Sequence, residues 1–133
     1  MSYHILIVAD SANGRAVVKK SINMSGIDVA TVFEAENGRE ALDVLNNAWI
    51  DIVFADINMP EMNGIELVEK MSEDALLVGT PVVIISSGQR QATINAVKER
   101  GICTHMKKPF QPGGFKEVIC SILEENSRSD AQS

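Results

Sequence analysis

Short, continuously apolar runs alternate along this chain with longer stretches whose apolar residues recur every three or four positions. The short runs are HILIV at 4–8, TVFEA at 31–35, DIVFA at 51–55, VVIIS at 82–86 and CTHMK at 103–107. Their length and β-branched content predict five strands. ILIV and VVII have no polar interruption, as expected of strands covered on both faces. The second run is broken by Thr31 and Glu34 and followed by Glu36, which predicts an edge position.

The intervening stretches predict helices. Phe115, Val118, Ile119, Ile122 and Leu123 fall at i, i+3, i+4, i+7 and i+8, one stripe of a helix. Ala41, Leu42, Leu45, Ala48 and Trp49 form a second stripe. Val17, Val18 and Ile22 mark another helix, as do Ile65, Val68 and Met71, and then Ile94 and Val97. Strand–helix alternation repeated five times implies an α/β fold, a doubly wound five-stranded parallel sheet with five helices joined by right-handed crossovers. The polar ending predicts one domain over residues 1–125 and a disordered tail at 126–133.

Composition narrows the function. The 133 residues are 45% hydrophobic and 23% charged, and the net charge of −6 argues against nucleic acid as a direct partner. No apolar run is long enough to cross a membrane, and MSYHILIVAD opens straight into a strand, so a cytoplasmic location is expected. Cys103 and Cys120 match no metal or redox spacing and are expected to be reduced thiols.

In open parallel sheets, ligands and chemistry gather beyond the carboxyl ends of the strands. Asp10 follows the first strand, Asp56 the third, Ser86 and Ser87 the fourth, and Lys107 and Lys108 the fifth, ahead of Pro109. Two carboxylates on one rim repel each other unless a cation lies between them, and Mg2+ suits one or two carboxylates, a carbonyl and several waters. A lysine and a hydroxyl beside such a metal describe a site for a phosphoryl group, and a carboxylate nucleophile there gives an aspartyl phosphate. Each residue has a plainer role when taken alone. Asp10 or Ser11 can cap a helix, Asn37-Gly38 and Asn63-Gly64 are turn signals, Lys108 can be a solvated lysine, and His105 can be an edge histidine. Their joint arrival on one rim favours the site.

ILIVADS, AENGREAL, DIVFADINMPEMNG, PVVIISS and KKPF, in this order and spacing, resemble the response-regulator receiver domains, above all the free-standing chemotaxis type. The resemblance covers residues 3 to 125 and implies a flavodoxin-like sheet of strand order 2-1-3-4-5. It implies that Asp56 accepts a phosphoryl group from a histidine kinase or phosphotransfer protein. Asp10, Asp56 and the backbone carbonyl of Asn58 are expected to hold Mg2+. Lys108 is expected on the phosphoryl oxygens, and Ser86 and His105 are expected to be the switch residues. The implied output is a changed face made of the helix near 89–101, the fifth strand and the helix near 113–125, which controls a downstream protein target. The chain is expected to be a monomer or a phosphorylation-dependent dimer, and no enzyme beyond weak self-catalysed phosphotransfer and dephosphorylation.

Two positions depart from the family pattern. Ala9 stands where an acid is usual, which removes a charge near the metal while keeping the direct ligands. His105 stands where Tyr or Phe is common, and an imidazole can charge near neutral pH. The alternative is an interaction module that works without phosphorylation. A phosphohydrolase of the haloacid dehalogenase type needs an acid two residues after the nucleophile, and Asn58 cannot supply it. A flavin-binding protein of the same topology needs a phosphate loop after the first strand, for which ADSANGR is a thin candidate.

Overall fold

The computed structural model describes residues 3–56, 64–74, 77, 80–86 and 103–107, with the backbone alone for 64, 65, 86 and 103–107. The elements run β1 (Tyr3–Val8), α1 (Ala12–Met24), β2 (Val29–Ala35), α2 (Gly38–Asn47), β3 (Ile52–Asp56), α3 (Gly64–Glu73), β4 (Val82–Ser86) and β5 (Cys103–Lys107). The five strands form one parallel sheet in the order β2-β1-β3-β4-β5. The sequence expectation holds for this order and for β2 at an edge. The helices expected near 89–101 and 113–125 lie outside the described residues.

Strand side chains alternate between two cores, because successive residues point to opposite faces of a sheet. Leu6, Val8, Val53, Ala55, Val82 and Ile84 pack with Ala41 and Leu45 of α2 and Leu67, Val68 and Met71 of α3. Ile5, Ile7, Ile52, Phe54, Val83 and Ile85 pack with Val18 and Ile22 of α1 on the other side. Burial on both faces is why the middle strands carry no polar interruption. Each fully buried side chain of this size contributes roughly 1.5–3 kcal/mol relative to exposure, so these two cores are the main cohesion of the sheet.

Local chemistry sets the helix ends. Asn37 caps α2, its side chain accepting from Glu40 N at 2.9 Å, while the Glu40 carboxylate accepts from Glu36 N at 3.2 Å. The Asn37-Gly38 turn signal is thus a helix start. Beyond α1, Ser25 closes the last turn, its N–H donating to Ser21 O and Ile22 O. Gly26 follows at φ 83, the left-handed conformation that a residue without a Cβ adopts without strain.

The second helical stripe is cut short. The chain turns extended at Ala48 (φ −144, ψ 151), so α2 stops at Asn47 and Trp49 leaves the stripe. Ile50 enters the core instead, 7% exposed, and Trp49 stands 75% exposed with its indole N–H donating to Asp51 Oδ1 at 2.9 Å. Asp51 also ties this end of the sheet together, since its Oδ2 accepts from His4 N at 2.7 Å and its N–H donates to His4 O at 2.8 Å. Leu67, absent from the expected stripe of the third helix, is fully buried. Val17, expected inward, is exposed.

Trp49 is the sole tryptophan of the chain. Its fluorescence should therefore peak where a water-exposed indole emits and be quenched freely by iodide. A blue-shifted, protected emission would return Trp49 to the core.

Candidate functional site

The site is built by strand register. Val8 of β1 lies opposite Ala55 of β3, so one further step brings Ala9 level with Asp56. Asp56 lies opposite Ile85 of β4, and Ile85 opposite Met106 of β5. The row beyond holds Asp10 at the end of β1 and the paired residues Ser86 and Lys107 on β4 and β5. Neighbouring strands are about 4.8 Å apart, so Asp10 and Asp56 leave adjacent strands within one residue step of each other. By register, Asp10, Asp56, Ser86 and Lys107 thus lie at the same edge of the sheet.

Asp56 is half-buried and ends β3 directly after the fully buried Ala55. Asp10 is exposed, just past the buried Ala9. The rival role for Asp10, capping α1, belongs to its neighbour. Ser11 is the N-cap, with extended backbone (φ −97, ψ 127) and a side-chain oxygen that accepts from Gly14 N at 3.2 Å. Asp10 therefore projects from a short bridge between the last ladder residue of β1 and the cap of α1. The start of α1 carries no acidic residue in its first turn, so its positive end adds to the potential beside the rim.

Ala9 continues the ladder to the edge strand, its N–H donating to Ala35 O at 3.0 Å. It is 7% exposed and lies close behind Gly14, where an added Cβ would come 4.0 Å from the Ala9 Cβ. At this position, level with Asp56, the chain offers a methyl group.

One residue was not singled out in the sequence. Arg15, in the first turns of α1, donates from Nη1 to the Ala9 carbonyl and from Nε to Glu34 Oε1 of β2 at 3.1 Å. Its side chain is only 12% exposed, that of Glu34 42%. A signal was present: Arg15, Val18 and Ile22 fall at i, i+3 and i+7, so Arg15 lies on the inward stripe of its helix.

Ser86 and His105 have their backbones in β4 and β5, while their side chains, and all of Asn58, Ser87, Lys108 and Pro109, lie outside the described residues. Among the described residues no three His, Cys, Asp or Glu side chains converge on one point. The pair Asp10 and Asp56 fits a hard divalent ion that keeps several waters, since Mg2+ is usually held by one or two carboxylates. No helix among the described residues is long and apolar enough to cross a membrane.

The two neighbours at the end of β1 should separate cleanly on mutation. Ser11→Ala removes a cap and should lower stability by about 1 kcal/mol in denaturant unfolding. Asp10→Asn, at an exposed position, should stay within about 0.5 kcal/mol of the parent. The reverse ranking would make Asp10 a structural residue.

Comparison with known proteins identifies the family. The model of the response regulator receiver domain matches residues 5–120. The chain is 33% identical over 128 residues to a chemotaxis protein CheY homolog of Campylobacter jejuni, covering 96% of this chain and 97% of that protein. It is 33% identical over 123 residues to chemotaxis protein CheY1 of Helicobacter pylori, covering 92% and 98%. Among solved structures, chemotaxis protein CheY4 of Vibrio cholerae superposes with a TM-score of 0.80 at 27% identity, over 92% of this chain and all of that one.

Proposed function

Because the chain belongs to the family of response regulator receiver domains, and so to two-component signalling, we propose that it is a phosphorylation-dependent switch with Asp56 as phosphoacceptor. The observation that carries the reading is the register that brings Asp10 and Asp56 to the ends of adjacent strands on one rim. CheY-like receivers interact with histidine kinases and with downstream targets, and receiver domains generally bind Mg2+ at the phosphorylation site.

In this reading a carboxylate oxygen of Asp56 attacks the phosphorus of a phosphohistidine on the kinase or phosphotransfer protein. A P–O bond forms, the P–N bond breaks, and the electron pair stays on the imidazole nitrogen, which takes a proton from water. Asp10, Asp56 and the carbonyl of Asn58 would hold Mg2+, which when bound neutralises charge on the phosphoryl oxygens. Lys108 pairs with one of those oxygens, and the hydroxyl of Ser86 donates to another. The half-buried position of Asp56 at the end of β3 supports its role, because a nucleophile must remain reachable by its donor.

Phosphorylation adds charge and acceptor oxygens at Asp56. Recruitment of Ser86 and Lys108 towards them shifts the loop after β4, His105 follows, and the face beyond β4 changes shape for a protein target. The equilibrium moves only as far as the phosphoryl group binds the two states differently. The receiver unit spans 1–125, the tail 126–133 is a polar extension, and the protein works in the cytoplasm as a monomer or a phosphorylation-dependent dimer. Its self-catalysed phosphotransfer and dephosphorylation are weak. Ala9 favours one rival, an interaction module that works without phosphorylation.

The test is incubation with Mg2+ and acetyl phosphate, read by intact-mass spectrometry. One added phosphoryl group is expected, lost in Asp56→Asn and in a metal-free sample. No gain at any Mg2+ concentration, with acetyl phosphate or a cognate kinase, would favour the phosphorylation-independent module.

A further inference from the structure

Arg15 is a charged side chain held largely out of solvent that the phosphotransfer chemistry above does not use. Its Nη1 donates to the carbonyl of Ala9, and that carbonyl belongs to the peptide bond joining Ala9 to Asp10. Its Nε is held at 3.1 Å by Glu34 Oε1 on the edge strand. Ala9 N–H is fixed in turn on Ala35 O. Two residues past Ala9, the Ser11 cap fixes the start of α1. The backbone that carries Asp10 is thus anchored on both sides, and on the β1 side the anchor is a guanidinium.

A guanidinium is a rigid planar fork, so two donors committed to two acceptors define its plane. A hydrogen bond from such a group to a peptide carbonyl restrains the orientation of that peptide, and with it the direction in which the next residue departs. As an ion pair the Arg15–Glu34 contact contributes little, because Glu34 is 42% exposed and water screens it. Its value is geometric. It also compensates for Ala9, which has no carboxylate with which a bound cation could hold this strand end in place.

We propose that Arg15, steadied by Glu34, is a positioning residue that presents the Asp10 carboxylate to a divalent cation on the rim. The proposal rests on the reading of Asp10 as a cation ligand. Charge and position act here with opposite signs. A positive group one peptide from a metal ligand repels a cation, so by charge alone its removal tightens binding. By position its removal loosens binding, since an unpinned ligand must be ordered when the cation arrives. Glu34 at 3.1 Å cancels much of the guanidinium's distant field, and salt screens the remainder. Position should therefore win.

The test is calorimetric titration of the full chain with Mg2+ alone, with thermal unfolding of each variant alongside and Asp10→Asn as the control. Arg15→Ala should weaken Mg2+ binding roughly tenfold, the low end of what losing an outer-shell partner of a metal ligand costs. Arg15→Lys keeps the charge but cannot span both acceptors, and it should weaken binding in the same direction. Glu34→Gln should do so by less. Unchanged or tighter binding in Arg15→Ala would overturn the proposal, as would an Arg15→Lys variant with parental affinity. If Arg15→Ala does not fold, Arg15→Lys decides, and parental affinity in that variant overturns the proposal. Parental binding that is absent, or untouched by Asp10→Asn, would show instead that Asp10 is no cation ligand, and the proposal would fall with that reading.

Discussion

The parallel pairing of β1 with β3, from Ile5 opposite Ile52 to Val8 opposite Ala55, puts the two strand ends level. A slip of one residue would turn each side chain of β1 to the opposite face, moving Leu6 and Val8 out of one core and Ile5 and Ile7 out of the other. Because both faces are buried, such a slip is costly and the register is held firmly. The position of the rim carboxylates is therefore a consequence of the core. Asp10 and Asp56 are neighbours because aliphatic side chains two to five residues away have only one good way to pack.

The same constraint explains why Ala9 matters. It is level with Asp56, buried, and tied by its backbone to β2, so its side chain is as firmly located as any in the core. A methyl group there takes one negative charge away from the rim. The positive end of α1 and the Arg15 guanidinium lie on the same side. The Glu34 carboxylate offsets part of that charge from the edge strand. The interruption that marked β2 as an edge strand is thus also the residue that holds Arg15.

Much of this was legible in the sequence. The uninterrupted ILIV and VVII runs pointed to strands covered on both faces, and the polar breaks of the second strand placed it at an edge, because burial alone dictates those patterns. Asp10 and Asp56 could be placed on one rim because in a parallel sheet every strand ends on the same side. Periodicity failed where backbone conformation intervened. Trp49 continues the stripe of α2 in spacing, but Ala48 turns extended before it, and no hydrophobic count detects that turn. The choice between Asp10 and Ser11 as helix cap also depended on the turn geometry, since both side chains can accept such a bond. Arg15 was missed for a different reason. Its place on the inward stripe of α1 was visible, but its partners, the Ala9 carbonyl and Glu34, come together only after β1, β2 and α1 have assembled.

The proposed function requires a divalent cation held between the carboxyl ends of β1 and β3. Paramagnetic Mn2+ in place of Mg2+, followed in an amide NMR spectrum, tests it most directly, because broadening falls off steeply with distance from the ion. Sub-stoichiometric Mn2+ should broaden the amides of Ala9, Asp10, Ser11 and Asp56 first, with the Trp49 indole signal at the opposite end of the sheet unaffected and the broadening at Asp56 lost in Asp10→Asn. Broadening centred on Trp49 and Asp51, or spread evenly over the surface acids, would contradict it.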